Sequence, residues 1–168
     1  MNNTIIQLLI SELEMEAATT RKFLKIGPND KLDWQPHAKS MRIRAVATHV
    51  AEIPSWISLG IKTEELDMAL QPYMPAEIAN NQDLLDIFEK GIAQAIADLK
   101  ETTDEFILNG TWVMRTGEHV IIKLSKYETI RHGFSQLIHH RAQMGVDLRL
   151  LNIPIPGSYG PSADEPGN

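Results

Sequence analysis

The chain has 168 residues, with 16 lysine and arginine side chains against 22 aspartate and glutamate side chains, so its net charge is −6 with neutral histidines. This length predicts one domain over residues 1–168 with a substantial core. The acidic balance, without any basic run, argues against nucleic-acid binding through phosphates. The lack of cysteine excludes disulfides, a cysteine-ligated zinc site and a cysteine nucleophile.

The N-terminal segment predicts the first helix, over residues 3–24. Apolar side chains recur there at helical spacing, and Gly27-Pro28 ends the pattern. The apolar run Ile5–Ile10 is short and three glutamates follow it at once, which is typical of neither a signal peptide nor a membrane span. We therefore expect a soluble cytoplasmic protein with no membrane partner.

The second helix is predicted over residues 41–58, after a loop of turn-forming residues at 27–39. Ser40 is the expected N-cap, and Gly60 supplies the expected stop. His49 lies on the flank of the apolar stripe of this helix. A histidine in such a place is more often a hydrogen-bonded structural residue than a ligand, unless another polar ligand faces it.

The middle of the chain predicts a third long helix over residues 82–107. Prolines and asparagines interrupt the preceding residues 61–81, which are predicted to be irregular. Asn109-Gly110 ends the third helix. Two short apolar segments around Thr116-Gly117 then predict a small β-hairpin.

The last helix is predicted over residues 126–151, with Ser125 and Glu128 as a capping box at its start. The following run contains three prolines and two glycines, which forbid a helix and predict an extended tail. We expect residues 152–160 of this Pro-rich tail to pack back on the helices. Four long helices with mostly short connections predict an all-α bundle.

Three of the six histidines lie in this last helix, and a partly buried imidazole there is the best chemical lead. His140 projects just beside the apolar stripe, and Gln136 lies one helical turn before it. His132 and His139 project further round the helix. His119, beside the hairpin, is expected to be an exposed loop residue.

Several segments resemble the DinB-like (YfiT-like) metalloenzyme family. They are His-Val-Ala-Glu-Ile-Pro-Ser-Trp at 49–56, His-His-Arg-Ala-Gln at 139–143, and the run from Leu148 through Ile-Pro-Ile-Pro-Gly-Ser-Tyr to Glu165. The resemblance covers essentially the whole chain. It implies an up-down-down-up four-helix bundle, often a homodimer, that holds a divalent metal such as nickel or zinc through three histidines. Relatives in this family include thiol-dependent S-transferases and isomerases that use mycothiol, bacillithiol or glutathione.

The ligand pattern of that family places one histidine in the second helix and two at i and i+4 in the last helix, the second just before an arginine. On this chain the three positions are His49, Gln136 and His140, and Arg141 follows. Gln136 departs from the pattern, because an amide oxygen is a weaker ligand than imidazole for a transition metal. The resemblance therefore implies a divalent metal that is weakly held or absent.

Two functions of different classes stay open. In the first, the chain binds a divalent metal and acts as a thiol-dependent S-transferase on small electrophilic molecules. In the second, its metal site is degenerate and the chain is a non-catalytic bundle that binds a ligand or a partner, since a fold by itself does not decide chemistry. His132 would reach the site only with a rotated helix. His139 is expected at the surface or in a dimer contact.

Overall fold

The computed structural model describes residues 3–165, which contain five α-helices, a short 3₁₀ turn and three β-strands. In chain order the elements are α1 (Thr4–Lys25), α2 (Ile43–Lys62), β1 (Glu65–Asp67), α3 (Asn81–Glu101), α4 (Asp104–Asn109), β2 (Thr111–Thr116), β3 (His119–Ser125) and α5 (Lys126–Leu150). None of the helices in this range combines the length and the apolar character that a bilayer span requires.

The four long helices share one apolar core. Helix α2 packs against α3 and α5, and α1 also packs against these two helices. Each long helix contributes side chains that are at most 1% exposed, among them Leu13, Val50, Phe88 and Phe134. These residues belong to the apolar stripes whose spacing predicts the helices, so the sequence period and the buried faces agree.

The prediction of an all-α four-helix bundle is wrong, because a mixed three-stranded sheet accompanies the helices. Strand β2 pairs antiparallel with β3, which is the predicted hairpin, and Gly117 in its turn has φ of 57°. Strand β1 pairs with β2 on the other side and is parallel to it. It lies in the segment 61–81 that the sequence predicted to be irregular.

An ion-pair network explains how so short a strand is held. Arg115 of β2 donates to the Glu65 carboxylate at 2.7 and 3.0 Å and also to Asp67. Asp67 is buried and accepts a further hydrogen bond from the Gly117 amide at 3.0 Å. The sequence did not predict β1, because its three residues are too few to show the two-residue period of a strand. Their hydrogen-bond partners, Arg115 and Gly117, lie about 50 positions further along the chain.

The predicted helix over residues 82–107 is two helices. Helix α3 ends at Glu101, and Thr102 and Thr103 have extended backbone before α4 begins. The Thr103 hydroxyl accepts a hydrogen bond from the Phe106 amide at 3.1 Å and so caps α4. The apolar spacing continues across this break, which is why the sequence pattern did not reveal it.

Gly60 does not end the second helix as predicted. Helix α2 begins at Ile43 and continues to Lys62. A Cβ atom on Gly60 would lie 2.8 Å from Cγ2 of Thr129 on α5. The glycine therefore permits a close approach of α2 and α5, the two helices that carry the candidate site.

The N-terminus of α1 is capped by a residue from another helix. The Asp104 carboxylate accepts from the Ile5 and Ile6 amides, each at 3.0 Å. Asp104→Ala should lower the free energy of unfolding by about 1 kcal/mol, because it removes the cap and a negative charge at the positive end of the helix dipole. Urea unfolding measures this change. The neighbouring, exposed Glu105→Ala is the control, and an equal loss in both variants would contradict the capping role.

Candidate functional site

The packing of α2 against α5 brings His49 and His140 face to face. Their ring centroids are 4.4 Å apart and their planes are nearly perpendicular, at 88°. Both residues are half-buried. The structure therefore brings together two of the three residues, His49 and His140, that the family resemblance places at ligand positions.

Two glutamines of α5 hold the His140 ring. The Gln136 Oε1 atom lies 3.0 Å from Nε2, and the Gln143 Oε1 atom lies 2.8 Å from Nδ1. A neutral imidazole has one N–H, so its other nitrogen has a lone pair that accepts a hydrogen bond or binds a metal ion. Sequence reasoning identified Gln136 but missed Gln143, which its position three residues after His140 would have indicated.

Two aromatic residues also lie close to the His49 ring. Its ring centroid is 5.1 Å from that of Trp56 and 6.1 Å from that of Tyr73. The Tyr73 hydroxyl donates to the Glu52 carboxylate at 2.6 Å, and the Ala76 amide donates to the same carboxylate at 2.8 Å. Glu52 therefore holds the segment around Tyr73 against the site.

Glu52 and Tyr73 were both missed by sequence reasoning. Glu52 lies three residues after His49, a spacing that places both residues on one side of the helix. Tyr73 had no comparable signal, because it lies in an irregular segment that only tertiary hydrogen bonds bring to α2. Burial is the main cause that raises the pKa of the Tyr73 hydroxyl, and the adjacent Glu52 raises it further. The hydroxyl therefore remains a hydrogen-bond donor at neutral pH.

The electrostatics of the site favour neutral imidazoles. Burial lowers the pKa of His49 below its ordinary value, and the nearby His140 lowers it further against the opposing effect of Glu52. Burial also lowers the pKa of His140, while the hydrogen bond with Gln143 raises it. Both rings are consequently neutral at pH 7, and neutral rings are what metal binding or proton acceptance requires.

The remaining histidines of the last helix are exposed. His139 lies near the site, with its ring centroid 4.9 Å from that of His140, and His132 is at the surface. Within residues 3–165, no three His, Cys, Asp or Glu side chains are grouped so that they would hold a metal ion. The structure thus supplies two imidazoles and no third side chain of those four types.

The donor set fits a weakly held ion rather than a three-histidine centre. Two ligand atoms bound to one ion at about 2.1 Å are separated by about 3 Å when they are at a right angle, and by about 3.4 Å in the tetrahedral arrangement that zinc prefers. The distance of 3.0 Å between Gln136 Oε1 and His140 Nε2 matches the right-angle separation and is also an ordinary hydrogen-bond distance. His49 would supply the second imidazole.

The orientation of His140 depends on its neighbour Arg141, which points about 100° further round the helix. Arg141 is buried and donates to the Glu16 carboxylate of α1 at 2.6 Å and to the Thr20 hydroxyl at 3.0 Å. It also donates to the Tyr159 hydroxyl at 3.0 Å, which in turn donates to Glu16 at 2.7 Å. This network joins α5, α1 and the tail, so it fixes the rotation of α5 that directs His140 toward α2.

Comparisons with solved structures support the fold. A DinB-like protein from Bacillus cereus ATCC 10987 superposes with a TM-score of 0.70 at 19% identity, over 95% of this chain and all of that one. The DinB-like protein YjoA from Bacillus subtilis gives 0.67 at 17% identity, over 90% of this chain and 97% of that one. A member of the DinB family from Exiguobacterium sibiricum 255-15 gives 0.65 at 20% identity, over 90% and 95% of the two chains.

Comparison with curated proteins finds no match. The family model described as "DinB family" matches residues 1–167, which is nearly the entire sequence. The solved structures that superpose on the chain carry the same family description. The chain therefore belongs to the DinB family.

Proposed function

We propose that this protein binds a divalent transition-metal ion, nickel or zinc, through His49 and His140, with Gln136 as a third and weaker ligand. The observation that carries the proposal is the 4.4 Å separation of two half-buried rings from different helices, with an amide oxygen 3.0 Å from one ring nitrogen. Their lowered pKa values keep both imidazoles neutral and available as ligands. Two imidazoles and one amide predict weak binding.

We further propose that the activity is thiol-dependent S-transfer to a small electrophile. An ion with an open coordination position lowers the pKa of a bound water or thiol and supplies a nucleophile near neutral pH. The residues around the ring pair contribute position: Trp56 and Tyr73 pack edge-on beside His49, and Glu52 holds Tyr73 in place. The expected homodimer stays a prediction.

A second candidate is a non-catalytic bundle that binds a ligand or partner at the same place. It is favoured by the two glutamine side chains that already lie against the ring nitrogens of His140, at 3.0 and 2.8 Å. A metal ion would have to displace Gln136 or Gln143 from its nitrogen, which costs a hydrogen bond worth about 1 kcal/mol net. The two candidates therefore differ in whether metal binding outweighs that loss.

Titration of nickel or zinc into protein without a histidine tag separates the candidates. We expect weak binding to the wild type, none to His140→Ala, and at least about tenfold tighter binding to Gln136→His, because an imidazole replaces the amide. Calorimetry measures all three affinities. His132→Ala, an exposed position on the same helix, is the control and should bind as the wild type does.

Two outcomes would contradict the metal proposal. If Gln136→His binds no more tightly than the wild type, Gln136 does not lie at a ligand position. If His140→Ala and the wild type bind equally, the ring pair is not a metal site, and the second candidate is then the better account.

A further inference from the structure

A cavity of about 470 Å³ lies next to the ring pair, between α5 and the segment that leads into α2. Its lining includes Val46 of α2, His140, Gln143 and Asp147 of α5, and Lys39 with Met41 from the preceding segment. Val46 and Asp147 are buried, while Lys39 and Met41 are exposed at the rim. The volume is in the usual range of small-molecule sites.

Asp147 is the unusual residue of this cavity. It is only 7% exposed, and within residues 3–165 its carboxylate forms no hydrogen bond or ion pair with the protein. Burial raises the pKa of this carboxyl group above its ordinary value, and no other group offsets that effect. Lys39, although it lines the same cavity, makes no ion pair with Asp147.

A buried carboxylate without a partner is costly, and proteins normally pair such a group. The cavity lining includes three side chains with donors, Lys39, Ser40 and Gln143, but within residues 3–165 none of them hydrogen-bonds to Asp147. A ligand that brings a positive charge would therefore complete the electrostatics of the cavity through a charge-assisted hydrogen bond.

Helix geometry sets the length of such a ligand. Asp147 follows His140 by seven residues, so the two lie on one side of α5 and about 10 Å apart. That distance is too long for one metal ion to contact both side chains. Gln143 lies between them on the same side, and the three polar residues form a row along the cavity.

We propose that this cavity binds a small organic cation whose protonated primary amine contacts Asp147. An aliphatic chain of about six carbons would pack on Val46 and Met41 and extend to His140, as the length of the polar row requires. The site adjoins the His49–Gln136–His140 group and shares His140 with it, but its cation contact is at Asp147. If the proposed transferase function holds, the amine identifies a class of substrate whose other end reacts at the ring pair.

Binding of hexylamine to the metal-free protein, in the presence of a chelator, tests this site independently of metal binding. 1-Hexanol is the matched neutral probe. We expect the wild type to bind hexylamine at least about tenfold more tightly than 1-hexanol, and we expect Asp147→Asn to lose that preference. Calorimetry gives the affinities, and NMR shifts of the His140 ring protons show whether the bound chain reaches that end of the cavity.

Asp33→Asn is the control variant, because it removes one negative charge from an exposed position in the segment before α2. It should bind hexylamine as the wild type does. Asp147→Asn should also unfold at the same or a higher temperature at pH 7, because a carboxyl group with a raised pKa in the folded protein destabilises it once ionised. Loss of binding in this variant is then not loss of folding.

Three results would overturn the proposal. They are the absence of hexylamine binding to the wild type at millimolar concentration, equal affinity for hexylamine and 1-hexanol, and unchanged amine binding in Asp147→Asn. None of them depends on whether nickel or zinc binds, so failure here is distinguishable from failure of the proposed metal site.

Discussion

Replacing Arg141 with methionine should lower the free energy of unfolding by about 3–5 kcal/mol. The guanidinium is 2% exposed, and its main partner, the Glu16 carboxylate, is 4% exposed and 2.6 Å away. Removal of the cation leaves that carboxylate buried with the Tyr159 hydroxyl as its remaining side-chain donor. For a protein of this size the loss corresponds to a decrease in the unfolding temperature of about 10 °C, which calorimetry or circular dichroism measures.

The matched control is Arg149→Met on the same helix. Arg149 pairs with Asp164 at 2.6 Å, but its side chain is 44% exposed, and exposed ion pairs contribute about 0–1 kcal/mol. The double variant Glu16→Leu, Arg141→Met should recover part of the stability lost in Arg141→Met, because it removes the unpaired charge. Equal losses in Arg141→Met and Arg149→Met would contradict the network as the element that fixes α5.

The long helices were predictable because each carries a complete local signal. The Ser125–Glu128 capping box has both of its hydrogen bonds, and α5 begins directly after it. The apolar stripes correspond to buried faces for the same reason: a helix of this length must bury one side. The signal for the hairpin was also local, because it is a turn glycine, Gly117, which has positive φ in the structure.

The features that the sequence did not reveal depend on partners that are distant in the chain. Strand β1 exists because Arg115 reaches back to Glu65 and Asp67. The buried partner of Arg141 is 125 residues away, and no periodic pattern joins them. Such pairs leave no trace in local spacing. Irregular structure at 61–81 and an all-α fold were predicted from local rules, and tertiary contacts override those rules here.

The candidate site also has some features that the sequence predicts and others that depend on tertiary contacts. Its histidines were found through a family resemblance and through their position beside apolar stripes. The ring pair itself depends on the close approach of α2 and α5 that Gly60 permits. Asp147 was not identified, because a carboxylate in an amphipathic helix is ordinarily a solvated residue. Only its burial and its lack of a partner within the described residues make it a candidate for binding.

Replacing Lys126 with methionine should cost about 2–4 kcal/mol of stability, because the lysine caps the C-terminus of α2. Lys126 is 0% exposed. Its ammonium group donates to the carbonyl oxygens of Gly60 at 3.2 Å, Ile61 at 3.3 Å and Thr63 at 2.6 Å. It also pairs with the exposed Glu64 carboxylate at 3.1 Å. Methionine has a similar length but no donor, so the carbonyl groups of the buried Gly60 and Ile61 would lose this hydrogen bond.

Urea unfolding gives the overall loss for Lys126→Met, and hydrogen exchange locates it. The Thr63 amide donates to the Leu59 carbonyl at the end of α2, so its protection should decrease most. Lys90→Met, at an exposed position of α3, is the control and should change stability by no more than about 0.5 kcal/mol. If both variants lose the same small amount, the buried ammonium is not what holds the end of α2. The close packing of α2 on α5, which brings His49 to His140, would then rest on the apolar core and on Gly60 alone.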